Sequence, residues 1–134
     1  MSRYVNFVSH QKKTTLRRRA SVKKPSVKAQ DLNLDTVFFR AIAEPTRQKI
    51  ILILLNKGMS SVQDVAEHLA QDRSVVSRHL ASLRHSGIVK SYKVSRFTKY
   101  ELDGAVIIEK LEQMLEQIRV AVSICCPPTE EVSN

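Results

Sequence analysis

With 134 residues, 43% of them hydrophobic and 26% charged, the chain holds enough apolar material for one compact core but too little for two comfortable domains. Its longest apolar run, Ile50 to Leu55, falls far short of the ~20 residues that span a bilayer, so a soluble cytoplasmic protein is expected. The net charge of +9 favours a polyanionic partner.

That charge is unevenly spread. Residues 1–30 carry nine Lys or Arg and no acid, while the rest of the chain is balanced at thirteen of each sign. This stretch has little periodicity and is expected to be a disordered basic arm with salt-sensitive attraction for phosphates. An organelle transit peptide and a solubilising extension are the competing readings. Further on, Arg40 to Tyr100 holds eleven basic residues against four acids, whereas seven acids follow from Glu101 onward. One end of the expected domain, 31–124, should attract a polyanion and the other repel it.

Within 31–43, Val37, Phe38, Ala41 and Ile42 recur at helical spacing. Glu44-Pro45-Thr46-Arg47 then opens a second helix, because proline at the first helical turn loses no needed N–H. That helix runs to about Gly58 and is apolar nearly all round, which predicts the central core helix. Ser61 offers an N-cap to a third helix, with Asp64 favourable near its positive end. Val62, Val65, Ala66 and Leu69 give this helix a buried face.

After a tight turn, Val76, Leu80 and Leu83 anchor a fourth helix, whose opposite face presents Ser74, Ser77 and Arg78, with Arg73 just ahead. Hydroxyl and guanidinium groups on an anchored helix suit a DNA major groove. Two alternating segments follow, 88–94 and 97–102, with a polar break at Ser95-Arg96. This basic hairpin carries Lys90, Lys93, Arg96 and Lys99 and can lie along a phosphate backbone. The combination is a winged helix-turn-helix, mainly α with a β-hairpin wing.

A final helix spans about Gly104 to Ile124, with a stripe of Ile107, Leu111, Met114, Leu115, Ile118 and Val122. Its apolar face exceeds what so small a domain can cover. A homodimer interface shared with the helix around Phe38 is therefore expected, against the alternative that the helix packs on its own domain. Beyond it, 125–134 reads as a flexible tail bearing Cys125 and Cys126.

Residues from about Val37 to Leu102 resemble the ArsR/SmtB family of bacterial metalloregulatory repressors. The resemblance rests on Ala43-Glu44-Pro45-Thr46-Arg47 with Ile50, Leu52 and Leu54-Leu55, on 64–69 (DVAEHL), on 74–80 (SVVSRHL) and on 83–89 (LRHSGIV). It implies a homodimeric repressor that leaves its double-stranded DNA operator when an inducer arrives. By position it implies DNA contacts from Ser74, Ser77, Arg78 and His79, with Arg96 at the wing tip. His79 also reads as a partly buried structural histidine, since it follows Val76 by three residues.

Several positions depart from the family pattern. Ala70 and Gln71 replace the usual glycine and apolar residue of the turn. The Cys-X-Cys of many arsenic and cadmium sensors is absent, its place held by 60–63 (SSVQ). Asp103 matches the first ligand of the zinc and nickel sensors, but no histidine follows in 104–134. Cys125 and Cys126 are the remaining soft ligands, one thiolate short of the three arsenite prefers unless another protomer contributes. A thiophilic metal or metalloid, an interchain redox switch, or two small apolar residues in a loose C-terminus remain alternatives there. No cofactor is required by the sequence, and no catalytic set emerges outside the helix patterns. A winged protein-interaction or RNA-binding module is the alternative to operator recognition.

Overall fold

The computed structural model describes residue 28 and residues 32–128. The expected basic arm lies outside the described residues except for Lys28, as does the chain end from 129. The elements in order are α1 (Thr36–Ala43), α2 (Pro45–Lys57), β1 (Ser60–Ser61), α3 (Val62–Ala66), α4 (Arg73–His85), β2 (Val89–Val94), β3 (Phe97–Leu102) and α5 (Gly104–Cys125). Leu34–Gln113 form one compact unit, and α5 from Met114 onward belongs to a second.

Local chemistry sets most of the boundaries. Asp35 caps α1 by accepting from the Phe38 N–H at 2.9 Å, and Glu44 caps α2 by accepting from the Arg47 N–H at 2.8 Å. Ser61 and Asp64 form a reciprocal capping box at the start of α3. At the far end of α4, the Gly87 N–H donates to the Arg84 carbonyl and the Ile88 N–H to the Leu83 carbonyl. This pair of bonds needs a left-handed residue between helix and strand, and Gly87 takes it at φ 83°. A β-carbon there would also sit 3.4 Å from Val106 Cγ1.

The core lies under α4, where Val76, Leu80 and Leu83 are fully buried with Phe38, Ile50, Val65 and Ile88. The wing is antiparallel, with Val94 opposite Phe97 and Val89 opposite Leu102. Ser95 and Arg96 are thus its two-residue turn, with Ser95 at φ 60°. A third, two-residue strand adds to the sheet in the order β1-β3-β2, pairing Ser60 with Tyr100 and Ser61 with Lys99.

Three expectations need correction. The second helix is not enclosed: only Ile50 and Leu54 are buried, while Leu52 is 59% and Leu55 68% exposed. In a small domain such a helix has neighbours on only part of its circumference, and α4 takes the central place. The third helix is shorter than its apolar pattern, because the His68 and Leu69 N–H groups donate three residues back to Val65 and Ala66 and tighten the chain into the turn. Ala70 needs no left-handed conformation there, since Ser95 is the only non-glycine residue with positive φ among those described.

Phe38 is the third. Expected at a dimer interface, it is fully enclosed in its own subunit, edge-on to Phe39 with centroids 5.5 Å apart. The Lys110 ammonium stands 5.6 Å over its ring and also pairs with Asp35. No part of Phe38 is left for a partner.

Candidate nucleic-acid interface

Three elements converge on one open cleft of about 630 Å³. The start of α4 contributes Arg73 and Ser77, the wing contributes Arg96, Phe97, Thr98, Lys99 and Tyr100, and the start of α3 contributes Ser61, Val62, Gln63 and Asp64. The buried stripe of α4 turns its other face outward, so Arg73, Ser74, Ser77 and Arg78 are all exposed. Lys93 and Arg96 are exposed on the wing. Cations from two elements around an open, concave groove form a surface suited to a phosphate chain.

Two expected contacts have partners inside the protein instead. The Lys99 ammonium lies 3.4 Å from Asp64 Oδ2, so it braces β3 against the capping box of α3. The Ser61 backbone N–H and hydroxyl donate to the same carboxylate at 2.8 and 2.7 Å. These bonds, with Lys99 beyond them, hold the Asp64 carboxyl down at about 2. His79 turns inward, with Nδ1 accepting from Arg47 Nε at 3.3 Å and lying 3.7 Å from Glu44 Oε2. This geometry matches the structural alternative for His79. Partial burial pushes the Glu44 carboxyl up, but the hydrogen bonds it accepts from the Arg47 and Thr46 N–H groups help to lower it overall.

Gln63 and Thr98 line the cleft although no motif marked them. Their only sequence signal was position, one beside a helix cap and the other within the wing. Asp103 caps α5 through the Val106 N–H at 3.2 Å and pairs with Lys90 at 3.2 Å, which raises the Lys90 ammonium. Cys125 and Cys126 are exposed at the end of α5, with Sγ atoms 3.3 Å apart. Among the described residues, no three His, Cys, Asp or Glu side chains cluster to hold a metal, and no helix is long and apolar enough to cross a membrane.

On the stripe of α5, Leu111, Leu115 and Ile118 are 37%, 40% and 38% exposed. Met114 and Val122 are half-buried. Ile107 is partly buried against the core of its own unit.

Comparison with known proteins agrees with this architecture. The sequence profile described as "Bacterial regulatory protein, arsR family" matches residues 44–91. The chain is 34% identical over 80 residues to "Transcriptional repressor SdpR" of Bacillus subtilis, covering 60% of this chain and 88% of that one. It is 30% identical over 102 residues to "Cadmium resistance transcriptional regulatory protein CadC homolog" of Staphylococcus aureus, covering 76% and 84%. Among solved structures, "ArsR-like Transcriptional Regulator from Rhodococcus sp. RHA1" superposes with a TM-score of 0.56 at 28% identity, over 68% of this chain and 81% of that one. Another, "Crystal structure of Possible transcriptional regulator for arsenical resistance", gives a TM-score of 0.53 at 30% identity, over 64% and 94%. The winged helix-turn-helix, its exposed basic face and these relatives together make the chain a DNA-binding transcriptional regulator of the ArsR family.

Proposed function

We propose that the protein is a cytoplasmic homodimeric repressor that reads an operator with α4 and grips the flanking backbone with its wing. The supporting observation is the shared cleft, which joins Arg73 and Ser77 of α4 to Arg96 of the wing. Arg78 and Ser74 read base edges or adjacent phosphates in the major groove, and Lys93 and Arg96 neutralise phosphates beside it. Two copies paired through Leu111, Met114, Leu115, Ile118 and Val122 of α5 present two α4 helices to half-sites about one helical turn apart.

Release follows from a thiol-directed inducer acting at Cys125 and Cys126, whose paired sulfurs are the soft donors near the end of α5. Relatives named "Arsenical resistance operon repressor" (Escherichia coli, 38% identical over 64 residues) and the cadmium-resistance regulator support a thiophilic inducer. Two sulfurs supply one donor fewer than a trivalent arsenical takes, so a second copy completes the set.

The test is binding of the reduced protein to the DNA upstream of its own coding sequence, with arsenite, cadmium or peroxide added in turn. Specific binding, released by one of these and insensitive in the Cys125→Ser/Cys126→Ser variant, is the expected result. Binding indifferent to all three sinks the inducer reading alone. Absence of any DNA binding sinks the operator reading.

A further inference from the structure

Arg47, on α2, is the centre of a polar clamp that no DNA contact explains. Its backbone N–H donates to Glu44 Oε2 at 2.8 Å, its Nη1 to the Arg40 carbonyl at 3.1 Å, and its Nε to His79 Nδ1 at 3.3 Å. The guanidinium therefore ties the end of α1 to the middle of α4, while the backbone N–H of the same residue holds the cap of α2. The Arg47 and His79 side chains are each only 20% exposed, and that of Glu44 is 32%.

The apolar anchorage of α4 includes Val76, Leu80 and Leu83, which are fully buried. That buried stripe decides which face of α4 turns inward, but apolar contacts are non-directional and leave its fine rotation less closely set. A hydrogen bond aimed at a ring nitrogen from a planar guanidinium does set it. His79 directly follows Arg78 and lies two residues from Ser77, so a turn of α4 about its axis sweeps both side chains across the groove.

We infer that Arg47 and His79 are positioning residues for DNA recognition, fixing the rotation of α4 so that Ser77 and Arg78 meet the base edges in register. The inference rests on the operator reading above. It assigns His79 a task inside the protein rather than on the DNA.

The probe is a duplex that the wild-type protein selects from a randomised pool, compared with a scrambled duplex of the same length. His79→Ala and Arg47→Lys are each expected to weaken operator binding about tenfold, with little change on the scrambled duplex. Lysine keeps the charge of Arg47 but not its fork. The dependence of operator affinity on salt should be unchanged, because no phosphate contact is removed. The double variant should be no weaker than the weaker single one, since both break the same clamp. His79→Gln retains an acceptor and should recover most of the loss.

A salt slope lower by about one in His79→Ala would mean a direct phosphate contact and overturn the inference. Losses that multiply in the double variant would overturn it too, as would equal losses on both duplexes that track a fall in Tm. If Arg47→Lys fails to fold, His79→Ala against His79→Gln carries the same decision. A wild-type protein that selects no sequence would remove the operator reading, and this inference with it, before any variant is compared.

Discussion

Helices α4 and α5 carry the same kind of apolar stripe and meet opposite fates. In α4 the stripe is sealed, with Val76, Leu80 and Leu83 at 0% exposure. In α5, 22 residues long, no residue is fully buried, and Leu111, Leu115 and Ile118 stay more than a third exposed. Helical periodicity therefore states that a face needs covering without stating what covers it. Covered by its own chain, such a stripe stabilises the fold; left open, it is available to a second copy, as in the assembly proposed above.

The sharpest way to break this contrast is to truncate both stripes. Leu80→Ala should cost about 3 kcal/mol in urea unfolding, the usual loss for a buried leucine. Leu115→Ala, at 40% exposure, should cost under ~1 kcal/mol in protein diluted below its association range. Equal costs would mean that α5 is packed on its own subunit after all.

A charge on the open stripe tests the other half. Leu115→Glu with Ile118→Glu should reduce the sedimenting mass from two chains to one while the far-ultraviolet spectrum stays helical. Operator affinity should then fall on the order of 100-fold, because the second half-site is no longer linked to the first. An unaltered dimer in this variant would move the interface elsewhere.

Within the covered unit the exposed face of α4 should behave differently from its buried one. Arg78→Ala should leave unfolding nearly unchanged and cost about 1–3 kcal/mol of operator binding, with base preference relaxed at one position. Unchanged affinity for a selected site would remove Arg78 from the reading face.

The α3 capping box and the wing offer two smaller comparisons. Asp64→Asn should lose about 1 kcal/mol through the capping box. The folded Asp64 carboxyl lies at about 2, below its ordinary 3.8, so its contribution is complete above 3.8 and fades as pH falls from there through 2. Acid unfolding should therefore show less pH dependence across that window in the variant than in the wild type. Lys93→Ala should lower the salt slope of DNA binding by about one, whereas Lys99→Ala should leave it nearly unaltered, since Lys99 already faces Asp64. A matching drop for Lys99 would show that its ion pair opens on DNA.

Much of the site was legible because its chemistry is local. A buried triplet at 76, 80 and 83 forces Ser74, Ser77 and Arg78 outward whatever the rest of the chain does. Glu44, Ser61 and Gly87 mark their helix ends through bonds to residues three to five positions away, within reach of a sequence reading. Lys99 was not legible in the same way, and for His79 the spacing from Val76 offered an inward reading without naming its partner. Their partners, Asp64 and Arg47, lie 35 and 32 positions away, and nothing local distinguishes a lysine that turns inward from one that stays in water.

By itself the sequence determined the helices, the wing, the exposed basic face of α4 and the family to which the chain belongs. Each depends on spacing, capping or turn chemistry, which act over a few residues. Only the tertiary structure decided that α2 is half open, that Phe38 is sealed, that β1 joins the wing, and that Arg47 holds α4. Those outcomes depend on which surfaces meet across the fold, and apolar contact is too undirected for a one-dimensional pattern to specify its partner.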